Sequence, residues 1–220
     1  MDNLRQTFSE ELKRLEEDLT AMSQVTVEML EGSIKALIDK DVGLADRVVE
    51  MDDIVDDYNF SIEKKCLELI ALQQPMGKDL RMIASILKVI TDVERVGDYT
   101  VDLAKFSKHL AIKTEGGLFV DIPRMATIVV SMLKEVVRAF INKDLDLITT
   151  MIHHDEEVDR LFKQYFDELV TTIEKNPNNA RRAMHHLMIC RYLERIADHI
   201  TNIGERTYYI ETGEMKELHQ

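Results

Sequence analysis

The feature that most limits what this chain can fold into is that it is written twice. The stretch MLEGSIKALIDKDVGL from Met29 returns as MLKEVVRAFINKDLDL from Met132, an offset of 103. At that offset Met29, Leu30, Ala36, Ile38, Lys40, Asp41, Leu44, Asp52, Val55 and Asp56 meet identical residues, ten identities in 28 ungapped positions. Further on, RMIASILKVITDVERVGD from Arg81 faces RRAMHHLMICRYLERIAD from Arg181, an offset of 100. The three-residue change falls between Asp56 and Arg81, where the segment around Pro75 faces a shorter one around Pro177. Length changes in loops with identities in the periodic segments are what a duplicated fold leaves behind.

Each copy reads as three helices. Apolar residues recur at spacings of three and four, as in Ile86, Val89/Ile90, Val93, Val96, Thr100 and Leu103/Ala104. The pattern predicts helices near 4–38, 42–72 and 78–111, then 122–141, 145–174 and 179–212, with breaks at Gln73-Gln74-Pro75 and Asn176-Pro177. Eight Gly and three Pro in 220 residues leave too few turns for a many-stranded sandwich. The expected fold is all-α: two tandem, pseudo-symmetric three-helix bundles. The first spans 1–112, 113–120 is a linker carrying Gly116-Gly117, the second spans 121–214, and 215–220 is a tail. Pro123 after Asp121 suits the first turn of a helix.

Charge and composition remove several function classes. With 28 Lys+Arg against 41 Asp+Glu the net charge is −13, which disfavours a nucleic-acid binder. The polar N-terminus lacks a signal-peptide core, and the longest apolar runs fall far short of the roughly 20 residues of a spanning helix. The expectation is a cytoplasmic protein without membrane insertion, peripheral to the inner face of the plasma membrane only through partners. Cys66 and Cys190 are expected as reduced core thiols. The pairs His153-His154 and His185-His186 are expected at the surface, and the 12 Met mostly in the core. No Gly-rich phosphate loop and no triad of nucleophile, base and orienter occurs.

The candidate chemistry lies in carboxylates four residues apart: Asp52/Asp56, Glu94/Asp98, Asp155/Asp159 and Glu194/Asp198. Such pairs are common: about seven or eight are expected by chance in a chain this acidic, and each costs a helix a few tenths of a kcal/mol. These four recur at the repeat offsets, however. Pro75 is 19 residues from both Asp56 and Glu94 and 23 from both Asp52 and Asp98. From Pro177 the counts are 18 and 17 to Asp159 and Glu194, and 22 and 21 to Asp155 and Asp198. An antiparallel hairpin of equal rise therefore brings four carboxylates to one height in each half. Glu94 also falls at the margin of the apolar arc. Carboxylates crowded there need positive compensation, either a hard cation such as Mg²⁺, Mn²⁺, Ca²⁺ or oxidised iron, or pairing with Arg95, Arg195, Arg81 and Arg181.

Two longer motifs carry a resemblance. Gln74-Pro75-Met76-Gly77-Lys78-Asp79-Leu80-Arg81 with Asp92-Val93-Glu94-Arg95-Val96-Gly97-Asp98, and then Leu193-Glu194-Arg195-Ile196-Ala197-Asp198-His199-Ile200-Thr201-Asn202-Ile203-Gly204-Glu205 up to Thr212-Gly213-Glu214, resemble the two signatures of the PhoU family over essentially the whole chain. The resemblance implies two pseudo-symmetric three-helix bundles that homodimerise. It implies a cytoplasmic, non-enzymatic negative regulator of phosphate uptake and the phosphate-starvation response. Such a protein bridges the ATPase side of a phosphate-specific ABC transporter and a phosphate-sensing histidine kinase. It also implies metal, iron or zinc among the ions, on Asp52, Asp56, Glu94 and Asp98 and on Asp155, Asp159, Glu194 and Asp198. Asp102 and Asn202 match a further polar position one turn on.

The halves depart from one another within that pattern. Glu205 closes the second signature, whereas Lys105 stands at the equivalent place in the first, so a ligand role for Glu205 would make the sites differ in charge. Two rival readings are weighed against the regulator. A carboxylate-bridged di-iron oxidase of ferritin-like type needs Glu-x-x-His motifs, and none of the seven His has a Glu three residues before it. A structural helical scaffold would leave the carboxylates as ordinary surface charge.

Overall fold

The computed structural model describes residues 2–113 and 117–215; residues 114–116 of the expected linker and 216–220 of the expected tail lie outside the described residues. Among the described residues six helices follow one another: α1 (Asp2–Asp39), α2 (Val42–Gln73), α3 (Gly77–Lys113), α4 (Ile122–Asn142), α5 (Leu145–Lys175) and α6 (Ala180–Thr212). A single 3₁₀ turn, Pro177–Asn179, precedes α6, and the described residues contain no strand. The structure is all-α, as the apolar periodicity requires.

The repeat shows in local geometry. Lys40 and Lys143, at equivalent positions, both take the left-handed conformation with φ of 56°. Behind them the amide of Asp41 donates to Ala36 O and that of Asp144 to Ala139 O, each at 3.0 Å. Asp41 and Asp144 then cap the next helices, accepting from Leu44 N at 2.9 Å and from Leu147 N at 3.3 Å. Such a turn ends one helix and starts the next without leaving polar backbone unpaired. Asp121 caps α4 by accepting from Arg124 N at 3.1 Å, with Pro123 in the first turn.

Helices α1–α3 form one bundle and α4–α6 the other. Within each, Met29, Leu30, Ala36 and Val55, with their counterparts Met132, Leu133, Ala139 and Val158, are buried. The bundles join through α3 against α6 and α1 against α4, which leaves α2 and α5 on the outer flanks. Asp92 accepts from Asn202 Nδ2 at 3.1 Å, and Asp102 is hydrogen-bonded to the Tyr192 hydroxyl. Residues 92 and 192 are equivalent, as are 102 and 202, so each contact is the other with the halves exchanged. The seam is therefore antiparallel about a pseudo-twofold axis. Tyr99 and His199, equivalent to each other, meet there with ring centroids 5.8 Å apart. On the α1/α4 side the equivalent Glu31 and Lys134 form an ion pair at 2.5 Å.

The halves are also fastened at their ends. Arg81 at the start of α3 donates from Nε and Nη2 to Ile210 O near the end of α6, at 3.2 and 3.1 Å. Gly213, at φ 79°, closes α6 there, and a Cβ on it would lie 2.7 Å from Arg81 Nη1. Glu211 is shared between Lys78 at 3.6 Å and Lys143 at 4.0 Å.

One expectation is corrected. His186, expected at the surface, is 1% exposed. Its Nδ1 accepts from Phe119 N at 3.5 Å, its ring meets the Phe119 ring edge-on, and Arg182 lies over that ring at 4.0 Å from the centroid. The segment before α4 is thus packed down on α6, and α6 takes up a polar residue where the equivalent position of α3 carries the buried Ile86. Burial, reinforced by Arg182 and His185, lowers the His186 pKa to about 4. Cys66 and Cys190 are buried free thiols, each pushed up to about 12, chiefly by burial.

Lys40→Gly relieves a left-handed conformation unfavourable for a side chain and should raise unfolding stability in urea by up to about 1 kcal/mol; a lower midpoint would show that the Lys40 side chain holds the turn. His186 is neutral in the fold, whereas the unfolded chain takes up its proton below the usual value near 6.5. Its contribution is present above that pH and lost as pH falls towards 4. His186→Ile, which installs the first half's residue, should flatten the pH dependence of stability in that window by about 2 kcal/mol. An unchanged slope in urea titrations would count against it.

Two carboxylate clusters as a candidate metal centre

Each outer helix forms an antiparallel hairpin with α3 or α6, so residues equidistant from the hairpin turn come level. Asp52 and Asp56 on α2 meet Glu94 and Asp98 on α3. Burial, then the charges of Asp56 and Asp98, raises Asp52 to about 6, with Lys105 opposing. Glu94 is raised first by burial and then by Asp98, with Arg95 opposing and Asp56 and Asp52 adding smaller repulsions. In the second half Asp155 and Asp159 on α5 face Glu194 and Asp198 on α6. Glu194 is raised by burial and then by Asp198, against the pull of Arg191 and Arg195, with Asp159 adding to the rise. In both hairpins burial, and after it the neighbouring like charges, disfavours the ionised carboxylate.

The second cluster is the tighter. Asp159, Glu194 and Asp198 each offer an oxygen, and these three lie within 4.8 Å of one another, the one such group among the described residues. Glu194 Oε2 is buried without a hydrogen-bond partner. A buried carboxylate oxygen that accepts nothing, beside two more carboxylates, has the donor chemistry of a hard-cation site. Asp155 is 9% exposed beside them on α5. In the first half the Asp52 carboxylate reaches the α3 backbone, where a Cβ built on Gly97 would lie 3.4 Å from Oδ1. The second half has Ala197 at that position.

Arginines sit at the rims. Arg95 Nη1 donates to Asp98 at 2.8 Å and its Nε lies 3.6 Å from Glu94; Arg195 repeats this with Asp198 at 3.1 Å and Glu194 at 4.0 Å. Both guanidinium groups are about half exposed, so water screens them and each pair is worth less than 1 kcal/mol or so, about the usual surface value. Arg81 does not reach a cluster but is spent on the α6 carbonyl. A cation that the sequence did not single out does reach one: Arg191 pairs with Glu194 Oε1 and lies over the Phe162 ring. Its signal was the spacing of three residues before Glu194.

Asp102 and Asn202 lie on the seam instead of the hairpins, bonded to Tyr192 and Asp92 as described. His199 Nδ1 shares Asp92 Oδ1 at 2.8 Å, so it too faces the seam. The helical wheel explains the split. Residues 94 and 98 share a face turned to the outer helix, whereas 92, 99 and 102 share the next face, turned to the other half. The two clusters accordingly flank one helix pair, with the seam between them.

Both halves match the PhoU domain model, over residues 19–107 and 122–207. The phosphate-specific transport system accessory protein PhoU homolog of Clostridium acetobutylicum is 34% identical over 215 residues, covering 97% of this chain and 98% of its own. The homolog from Aquifex aeolicus is 36% identical, covering 93% of each. Among solved structures, PhoU from Pseudomonas aeruginosa superposes with a TM-score of 0.91 at 34% identity, over 94% of this chain and all of its own. The phosphate transport system regulatory protein PhoU of Streptococcus pneumoniae gives 0.85 at 29% identity, over 95% and 99%.

If the crowding is repulsive, removing one charge should help the metal-free protein. In chelator at neutral pH, Asp159→Asn should raise the thermal midpoint by roughly 2 °C; a fall would mean that Asp159 is held by a favourable partner.

Proposed function

The chain belongs to the PhoU family, and from that membership we propose that it is an accessory protein of a phosphate-specific transport system, acting as a non-enzymatic negative regulator of phosphate uptake and of the phosphate-starvation response. The observation that carries this reading is the match across both halves, at a third identity, to full-length relatives named for that transport role. The regulatory part draws support from the related Streptococcus pneumoniae protein, which is described as regulatory.

In this reading the protein acts by association, as a homodimer in the cytoplasm. Its partners are the ATPase side of the transporter, which brings it to the inner membrane face, and a phosphate-sensing histidine kinase. No described helix is long and apolar enough to cross a membrane, which fits recruitment through a partner. Asp52, Asp56, Glu94 and Asp98 form one metal-holding set and Asp155, Asp159, Glu194 and Asp198 the other. Their all-oxygen donors suit iron, Mg²⁺, Mn²⁺ or Ca²⁺, and zinc is the remaining ion of the family pattern. A bound ion would supply positive charge to carboxylates that burial and mutual repulsion disfavour in their ionised form; the chain supplies two helices held level so that four carboxylates converge. Asp102, Asn202 and His199 hold the seam in this scheme.

The test is complementation. Deleting the gene should derepress phosphate-starvation genes or misregulate phosphate uptake when phosphate is plentiful, and the intact chain should restore control. Unchanged expression and uptake on deletion, in a host without a second copy, would overturn the regulator. Full restoration by a folded Asp56→Asn, Glu94→Gln, Asp159→Asn, Glu194→Gln variant would remove the carboxylates from the mechanism.

A further inference from the structure

The duplication supplies an internal control, because four carboxylates recur while their surroundings do not. At the equivalent positions 105 and 205 the first half has Lys and the second Glu, a difference of two charges two helical turns beyond Asp98 and Asp198 on the same side of the helix. Geometry differs in the same sense. Three oxygens converge within 4.8 Å in the second cluster, and no trio from Asp52, Asp56, Glu94 and Asp98 does so. The buried carboxylate oxygen without a hydrogen bond is that of Glu194, whereas no oxygen of Glu94 is in that condition. Ala197 replaces Gly97 beside the α5/α6 cluster, so the backbone approach made by Asp52 is filled there by a methyl group.

One residue opposes the trend. Arg191 pairs with Glu194 Oε1, where the first half has Thr91. It engages a single oxygen of that carboxylate and leaves Oε2 without a hydrogen bond, its nearest cation being Arg195 Nε at 4.0 Å. Counting Asp155, Asp159, Glu194, Asp198 and Glu205 against Arg191 and Arg195, the second cluster is still more negative than Asp52, Asp56, Glu94 and Asp98 against Arg95 and Lys105.

We infer that the two clusters are unequal cation sites: the α5/α6 cluster around Glu194 is preformed and fills first, and the α2/α3 cluster fills second because Lys105 partly neutralises it. The inference rests on the metal-binding reading above. Sequential filling makes the protein responsive over a wider range of ion concentration than two equal sites would, since one half is occupied while the other still titrates.

The test is Mn²⁺ titration of tag-free, chelator-stripped protein, followed by calorimetry and by the electron paramagnetic resonance signal of free Mn²⁺. Two affinity classes separated by roughly tenfold or more are expected. Glu194→Gln should abolish the tight class and Glu94→Gln the weak one. Lys105→Glu, an exposed substitution that leaves the core untouched, should tighten the weak class by roughly tenfold. Circular dichroism and the unfolding midpoint establish that each variant is folded. Equal classes in the parent protein, or a weak class unmoved by Lys105→Glu, would overturn the inequality while leaving the sites in place. No Mn²⁺ binding up to millimolar concentration would overturn the metal reading itself, and the order of filling with it.

Discussion

Everything else in this molecule is arranged around the antiparallel packing of α3 on α6. A three-helix unit of this length can bury one face of each helix within itself, but α1 and α3, like α4 and α6, keep a second apolar stripe that only the other unit covers. Burying that stripe sets the pseudo-twofold axis. The axis fixes which residues meet on the seam and leaves α2 and α5 outside. Once the outer helices are outside, the faces they share with α3 and α6 open to solvent at one edge, and charged residues can lie on the margin of the core at modest cost. Carboxylate clusters are affordable only at such a margin.

Much of this was legible in the chain. The repeat dictated two copies of one unit, the three- and four-residue spacing dictated helices, and equal distances from Pro75 and Pro177 dictated level carboxylates. Each of these follows from rise per residue and periodicity, which local sequence controls. The left-handed lysines at positions 40 and 143 show how far the copy extends: even an unfavourable backbone conformation is reproduced, with the same backward hydrogen bond and the same aspartate cap.

What was not legible depends on neighbours that the periodicity of a single helix does not reveal. A wheel places Asp102 and Asn202 one turn beyond the clusters, and nothing in one helix says that the extra rotation turns them towards the other bundle. His186 looked like a surface residue because its partner, Phe119, comes from a segment outside the helical pattern. Nothing in the sequence singles out Arg191, because arginines beside acidic residues are common on any solvated helix. In the first two cases the deciding neighbour lies far along the chain or in a loop, where periodicity carries no information.

The seam also orders events in time. The hairpins within each half, and the turns at Lys40 and Lys143, join residues near one another in sequence, so they close at small entropic cost. The contact of Asp92 with Asn202 spans 110 residues, and that of Arg81 with Ile210 spans 129. Loops of that size cost more entropy to close, which favours a course in which the two bundles form first as separate units and dock last. During that interval the apolar stripes of α3 and α6 face water. A nascent chain of this kind is then most exposed to pairing with the wrong partner, since the first half of one copy offers the second half of another the same seam that its own second half will use.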